Sequence, residues 1–233
     1  MKKKTAVFLG LAVLAVGAVA LVYNHFMDRG RLTTTPEYTD LARTVAGNEL
    51  ISTFDPAATL HFAPEYRYLG GQKFILYGVA DTEQYLFVET MPDDRLQSVY
   101  WVQFEAYLPD KPYKYDYDDS PLRVQLGDYE FHTDTAPVQV DPNRKRRRGT
   151  DGAMFRQLLG SNGYTLPDNF SYSRMVYLTD ESRQKELMII FIDDLAPLGL
   201  TGSELKPDGA RAQRWPEIEQ RHLDKVRRTL EVR

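Results

Sequence analysis

Cysteine is absent from this chain of 233 residues. Its absence excludes disulfide stapling, thiol catalysis, cysteine-ligated zinc and a lipid-modified cysteine. Histidine is scarce, with four residues at positions 25, 61, 132 and 222. His132 and Asp134 have the spacing that puts two side chains on one strand face, but a metal needs three or four such ligands, and no His-Glu-x-x-His cluster occurs. No metal and no cofactor is expected. The Gly-rich phosphate cradles are missing too, and Gly160-Ser161-Asn162-Gly163 has the wrong spacing for a nucleophile elbow. No internal repeat or low-complexity tract appears.

The chain has a single long uncharged run, and it lies at the start. Lys2-Lys3-Lys4 precedes Thr5 to Tyr23, nineteen residues without a charge. At about 1.5 Å per residue such a helix covers roughly 28 Å, close to the hydrocarbon thickness of a bilayer. Ala18-Val19-Ala20 could serve as a signal-peptide cleavage site, but the apolar stretch runs through it into Leu21-Val22-Tyr23. That overshoot fits an uncleaved anchor better than a secretory signal. No Arg-Arg pair marks a twin-arginine signal. Three lysines before the run, against Arg29 and Arg31 after it, predict a cytoplasmic N-terminus and a periplasmic or extracellular remainder, as in a single-pass protein of a bacterial-type inner membrane. Tyr23 and Phe26 suit an aromatic belt at the far interface.

The organisation expected is therefore an anchor over residues 1–29, a tether over 30–36 and one exported domain over 37–233, large enough for a substantial core. Residues 37–143 carry 19 acidic and 7 basic side chains, whereas 144–233 carry 13 and 17. The acidic first half does not suit a nucleic-acid binder. The basic excess gathers in Arg144-Lys145-Arg146-Arg147-Arg148, which behind an export segment points to an anionic surface such as lipid headgroups, or else to a solvated loop.

Periodicity predicts an α+β domain: a mainly antiparallel, curved sheet of about six or seven strands packed by a long C-terminal helix. Pro36, capped by Thr35, opens a predicted helix through Tyr38, Leu41, Ala42 and Val45 that ends at Gly47. Strands follow over 60–69 and 72–79, with Gly70-Gly71 as the hairpin turn. Further strands are predicted over 83–91, 96–108 and 122–131. Thr150 or Asp151 should cap a helix through Met154, Phe155, Leu158 and Leu159. A hairpin over 172–178 and 187–193 ends in a strand that is apolar at every position from Leu187 to Ile192, which marks it as central and covered on both faces. A last helix over 208–232 carries a stripe of Trp215, Ile218, His222, Val226 and Leu230. Tyr113 to Asp119 matches no calcium template and is expected to be an exposed acidic loop.

The strand over 96–108 alternates most clearly. One face holds Tyr100, Val102, Phe104 and Ala106; the other mixes Trp101, Gln103, Glu105 and Tyr107. Aromatic area with a few polar groups is what a ligand or partner surface needs, so Trp101, Gln103, Glu105 and Tyr107 are the candidate binding residues. The function expected is a membrane-anchored, non-catalytic domain that binds a hydrophobic small molecule or an envelope protein. The alternative is an exported hydrolase in which carboxylates from Glu83, Glu89 and Glu105 act in pairs. Asn169-Phe170-Ser171 is a formal glycosylation sequon, relevant only in a eukaryotic secretory pathway.

Overall fold

The run Leu187 to Ile192 is buried at every position, and it occupies the middle of the main sheet. The computed structural model describes residues 29–143 and 147–233. The strands are β1 (Thr44–Ala46), β2 (Glu49–Thr53), β3 (Ala57–Phe62), β4 (Arg67–Leu76), β5 (Ala80–Thr90), β6 (Leu96–Tyr107), β7 (Leu122–Leu126), β8 (Tyr129–Gln139), β9 (Asn169–Leu178), β10 (Lys185–Asp194) and β11 (Leu230–Val232). The helices are α1 (Asp151–Ser161), α2 (Gly202–Leu205) and α3 (Trp215–Thr229). A seven-stranded sheet runs β4-β5-β6-β10-β9-β8-β7, and a four-stranded sheet runs β1-β2-β3-β11. Every registered pair is antiparallel.

Each face of the large sheet is covered by something different. On one side Tyr85, Phe87, Tyr100, Val102, Phe104, Ile189 and Phe191 pack with Leu50, Leu60 and Phe62 of the small sheet and with Val226 of α3. Phe62 stacks on Phe87 at 3.9 Å, and Tyr100 on Phe191 at 4.5 Å. On the other side Leu86, Val99, Trp101, Ile190 and Ile192 meet Phe155, Leu158 and Leu159 of α1. The expected cap of α1 is present: the Thr150 side chain accepts the Ala153 N–H, one of the donors a helix start leaves unpaired. His222 bridges Ser171 and Ser173 at 2.8 and 2.9 Å. Burial pushes its pKa down to about 3, so it is a packed neutral histidine on the stripe.

Several of the sequence expectations give way in the folded structure. No helix forms over 36–46: Glu37 bridges Lys73 at the free edge of β4, Asp40 has φ 53°, and Thr44–Ala46 becomes β1. Residues 30–37 thus lie along that edge, with Thr34 N–H bonded to Ile75 O and Glu37 N–H to Lys73 O, which shields an otherwise open strand. Gly70-Gly71 is inside β4, beside a bulge after Tyr68. A Cβ on Gly71 would sit 2.7 Å from Leu41, 2.8 Å from the Tyr68 hydroxyl and 3.0 Å from Tyr85, so a side chain there would force these neighbours to shift. The chain reverses instead at Tyr77 and Gly78, with φ 53° and 67°. The preceding predicted strand ends at Phe62 because Pro64 has no N–H to give a ladder.

The predicted strand over 122–131 is a hairpin, β7 and β8, reversing at Gly127 with φ 56°. The last helix is shorter than expected. A 3-10 turn over Ala212–Arg214 leads into α3, and its final three residues leave as β11 to pair with β3. Residues 5–23 lie outside the described residues. Among the described residues no helix is long and apolar enough to cross a membrane.

Candidate functional site

Register decides which side chains meet on the α1 face. Gln72, Gln84 and Gln103 stand directly opposite one another on β4, β5 and β6. Gln72 donates to Gln84 at 2.7 Å, Gln84 to Gln103 at 2.8 Å, and Gln103 to Glu105 Oε2 at 2.6 Å. Gln84 also donates to the Asp151 carbonyl at 3.1 Å, which fixes the start of α1 on the ladder. Gln103 is 1 % exposed and Trp101 5 %, the latter stacked flat on Phe155 at 4.6 Å. Two of the four predicted binding residues therefore lie beneath α1. Glu105 is half-buried, and Tyr107 stacks on Tyr115 at 4.4 Å.

Glu105 has an opposite number that the sequence did not suggest. Glu186 of β10 pairs with it across the strands, at the Cβ separation of about 4.5–5.5 Å usual for such pairs. Glu186 is 2 % exposed. The donors that reach the two carboxyls are neutral: Tyr115 to Glu105 at 2.7 Å and Tyr117 to Glu186 at 2.8 Å. Burial, with the nearby Asp151 carboxyl, pushes Glu105 up to about 7, and burial together with the Glu105 charge raises Glu186 well above the usual carboxylate range. Beside them Thr82 Oγ1 and, at the head of the ladder, Gln72 Oε1 are buried without a protein partner. The pair holds a proton near neutral pH, because two adjacent buried carboxylates cannot both ionise cheaply.

The hydrolase alternative placed its carboxylates differently. Glu83 and Glu89 face the small sheet and Glu105 faces α1, so no pair forms among the three. Glu83 is instead bonded to Arg43 at 3.1 Å and to Tyr85 at 2.8 Å. Glu89 is bonded to Lys225 at 2.8 Å. The loop over 113–119 divides as its alternation allows: Asp116 and Asp118 reach out to Arg183, while Tyr115 and Tyr117 turn in. Its acidic, exposed side was legible in the sequence. The inward tyrosines were signalled only by their spacing of two.

A cleft with a volume of about 1000 Å³ lies elsewhere, lined by residues of α1 and of the adjoining ends of β8 and β9. Arg156, Leu159 and Gly160 present one face of α1 to it, at the i, i+3, i+4 spacing of a helix. Tyr164, Leu166, Val138 and Phe170 also line it. Its charged lining includes Arg147, Asp141 and Asp168. Of the basic run, Arg147 and Arg148 are exposed, and Arg144, Lys145 and Arg146 lie outside the described residues. The first described residues pack here as well. Thr33 donates to the Gly149 carbonyl at 2.5 Å, and the backbones at Gly30 and Arg148 are so close that a Cβ on Gly30 would overlap the Arg148 carbonyl. Among the described residues no group of three or more acidic or histidine side chains is arranged to hold a metal.

Compared with known proteins, the chain matches no family model, no curated protein and no solved structure.

Proposed function

We propose that this chain is a membrane-tethered, non-catalytic binding domain held on the extracytoplasmic side of a bacterial-type inner membrane. Its ligand, a hydrophobic small molecule or a segment of an envelope partner, occupies the cleft beside α1. The observation that supports this most is the placement of Gly30. The chain enters the domain against Arg148 and Gly149, whose sequence neighbours Arg147 and Thr150 line the cleft. Gly30 lies seven positions beyond Tyr23, the end of the uncharged run. That length of chain reaches at most about 25 Å when extended, so an anchored chain keeps Gly30 and the Arg148–Gly149 backbone beside it near the headgroups.

The test is fractionation of the full chain combined with intact mass. Full-length mass in the carbonate-washed membrane supports the tether, and a mature N-terminus at Leu21 in the soluble fraction refutes it. The Glu105–Glu186 pair favours a second reading, a hydrolase in which two carboxyls on adjacent strands act together, as in glycosidases. Tyr115, Tyr117 and Gln103 already occupy those carboxyls. Turnover of any glycoside that is lost in Glu105→Gln with the fold intact would establish it over the binding reading.

A further inference from the structure

β6 and β7 follow one another in sequence, but β10, β9 and β8 lie between them in the sheet. Residues 108–121 must therefore cross three strands as a strap, and Tyr117 within them packs on the α1 side. Two kinds of contact hold the strap down. Outside, Asp116 and Asp118 pair with Arg183 at 3.2 and 3.0 Å, through exposed carboxylates that add little. Inside, the Tyr115 and Tyr117 hydroxyls donate to Glu105 and Glu186 at 2.7 and 2.8 Å. Tyr115 also stacks on Tyr107 at 4.4 Å, its N–H bonds the Arg183 carbonyl at 2.8 Å, and the Tyr117 carbonyl meets His132 Nδ1 at 2.9 Å. The two phenols thus cap the two carboxyls.

Negative charge dominates around that pair. Glu105 and Glu186 face each other across β6 and β10, and Asp151 at the start of α1 acts unfavourably on both. Burial raises Asp151 as well, although Arg156 of α1 partly offsets this. Arg174 of β9 acts favourably on Glu186 but is itself bonded to Asp134 at 2.6 Å. The surrounding phenols are Tyr77, Tyr107, Tyr115 and Tyr117; burial pushes Tyr77, Tyr115 and Tyr117 up, so these three stay neutral. Thr82, opposite Glu105 on β5, is fully buried, and its hydroxyl has no protein partner. Loss of the last shared proton leaves two adjacent anions that need water. Lifting the strap withdraws Tyr115 and Tyr117 and admits it.

We propose that residues 108–121 are a proton-controlled latch, closed while Glu105 and Glu186 share a proton and open once both are ionised. The latch depends neither on a membrane tether nor on a bound ligand. Under the closed strap Glu105 keeps its proton up to about 7, whereas in water a glutamate releases it near 4.5. Opening therefore releases a proton, and the opening constant rises by up to about tenfold per pH unit across that interval.

Amide hydrogen exchange of the full chain in mild detergent, from pH 5 to pH 8, tests this. Protection factors taken against intrinsic exchange rates cancel the base catalysis of exchange itself, so they report opening alone. The Tyr115 and Ser120 amides, bonded to the Arg183 and Tyr117 carbonyls, should be at least about tenfold less protected than the amides of β10 at every pH, and should lose at least about tenfold between pH 5 and pH 8. Glu105→Gln and Glu186→Gln should each flatten that fall, and the double variant should abolish it. Asp116→Asn/Asp118→Asn, which removes the outer ion pairs, should lower protection equally at both pH values and keep the slope.

Protection that stays constant or rises with pH would show that ionised carboxylates grip the tyrosines harder, and would overturn the proposal. So would strap protection equal to that of β10, which means opening only with the whole domain. If the double variant does not fold, an unchanged slope in both single variants is equally decisive against the latch.

Discussion

Replacing Glu186 by glutamine should stabilise the protein at alkaline pH and leave it nearly unchanged in acid. Glu186 is buried, faces Glu105 across the β6–β10 ladder and receives the Tyr117 hydroxyl at 2.8 Å. A glutamine carbonyl can accept the same hydrogen bond. In the folded protein Glu105 titrates near 7 instead of 4.5, so between those values the folded state holds a proton that the unfolded chain has released. Stability is then complete below about pH 4.5 and declines as pH rises through 7. A displacement of that size corresponds to about 3 kcal/mol by 8, at 1.36 kcal/mol per pH unit. Glu186 carries a penalty of the same sign, because burial and the Glu105 charge raise it well above the usual carboxylate range; Glu186→Gln removes that penalty, and each kcal/mol removed raises Tm at pH 8 by about 2 to 4 °C for a domain of this size. Thermal melts of wild type and Glu186→Gln at pH 5 and pH 8 measure the difference directly. An equal loss of Tm at both pH values would show that Glu186 is ionised and favourably solvated in the native state, and the proton-holding pair would be refuted.

Further outcomes follow from the packing. Trp101→Ala and Phe104→Ala should each cost about 3 to 5 kcal/mol, since both residues are buried on covered faces; a Trp101→Ala variant with wild-type Tm but lost ligand binding would return that face to the status of a binding surface. Ile218→Ala, in the satellite cluster with Leu195, Leu200 and Leu205, should cost about 2 to 5 kcal/mol in a denaturant melt, and an unchanged midpoint would detach α3 from the core. Thr150→Ala removes the α1 cap and should cost about 1 kcal/mol. Gly127→Ala should destabilise by more than about 1 kcal/mol, because its φ is positive and its Cβ would overlap the Val232 carbonyl; normal hydrogen-exchange protection of β11 in that variant would contradict the close approach.

What the sequence determined by itself was whatever local chemistry controls. The uniform apolarity of Leu187 to Ile192 marked a central strand, because no solvated position interrupts it. The cap at Thr150 and the spacing of Met154, Phe155, Leu158 and Leu159 defined α1, because a helix start and its buried face are both short-range properties. The α3 stripe placed His222 in the core for the same reason. The tertiary structure decided everything that depends on partners distant along the chain. The apolar spacing of Tyr38, Leu41, Ala42 and Val45 fits a helix, yet the free edge of β4 and the need to pair β2 claimed that segment as extended chain. Gly70-Gly71 reads as a turn, but both lie inside β4, where Leu41, Tyr68 and Tyr85 pack over Gly71. Glu186 looked like one more charge in a polar turn until antiparallel register set it against Glu105, eighty-one residues earlier. A strand pattern states which side of a sheet a residue faces; only the neighbouring strands and the layer above determine whether that side is a surface, a core or a shared proton.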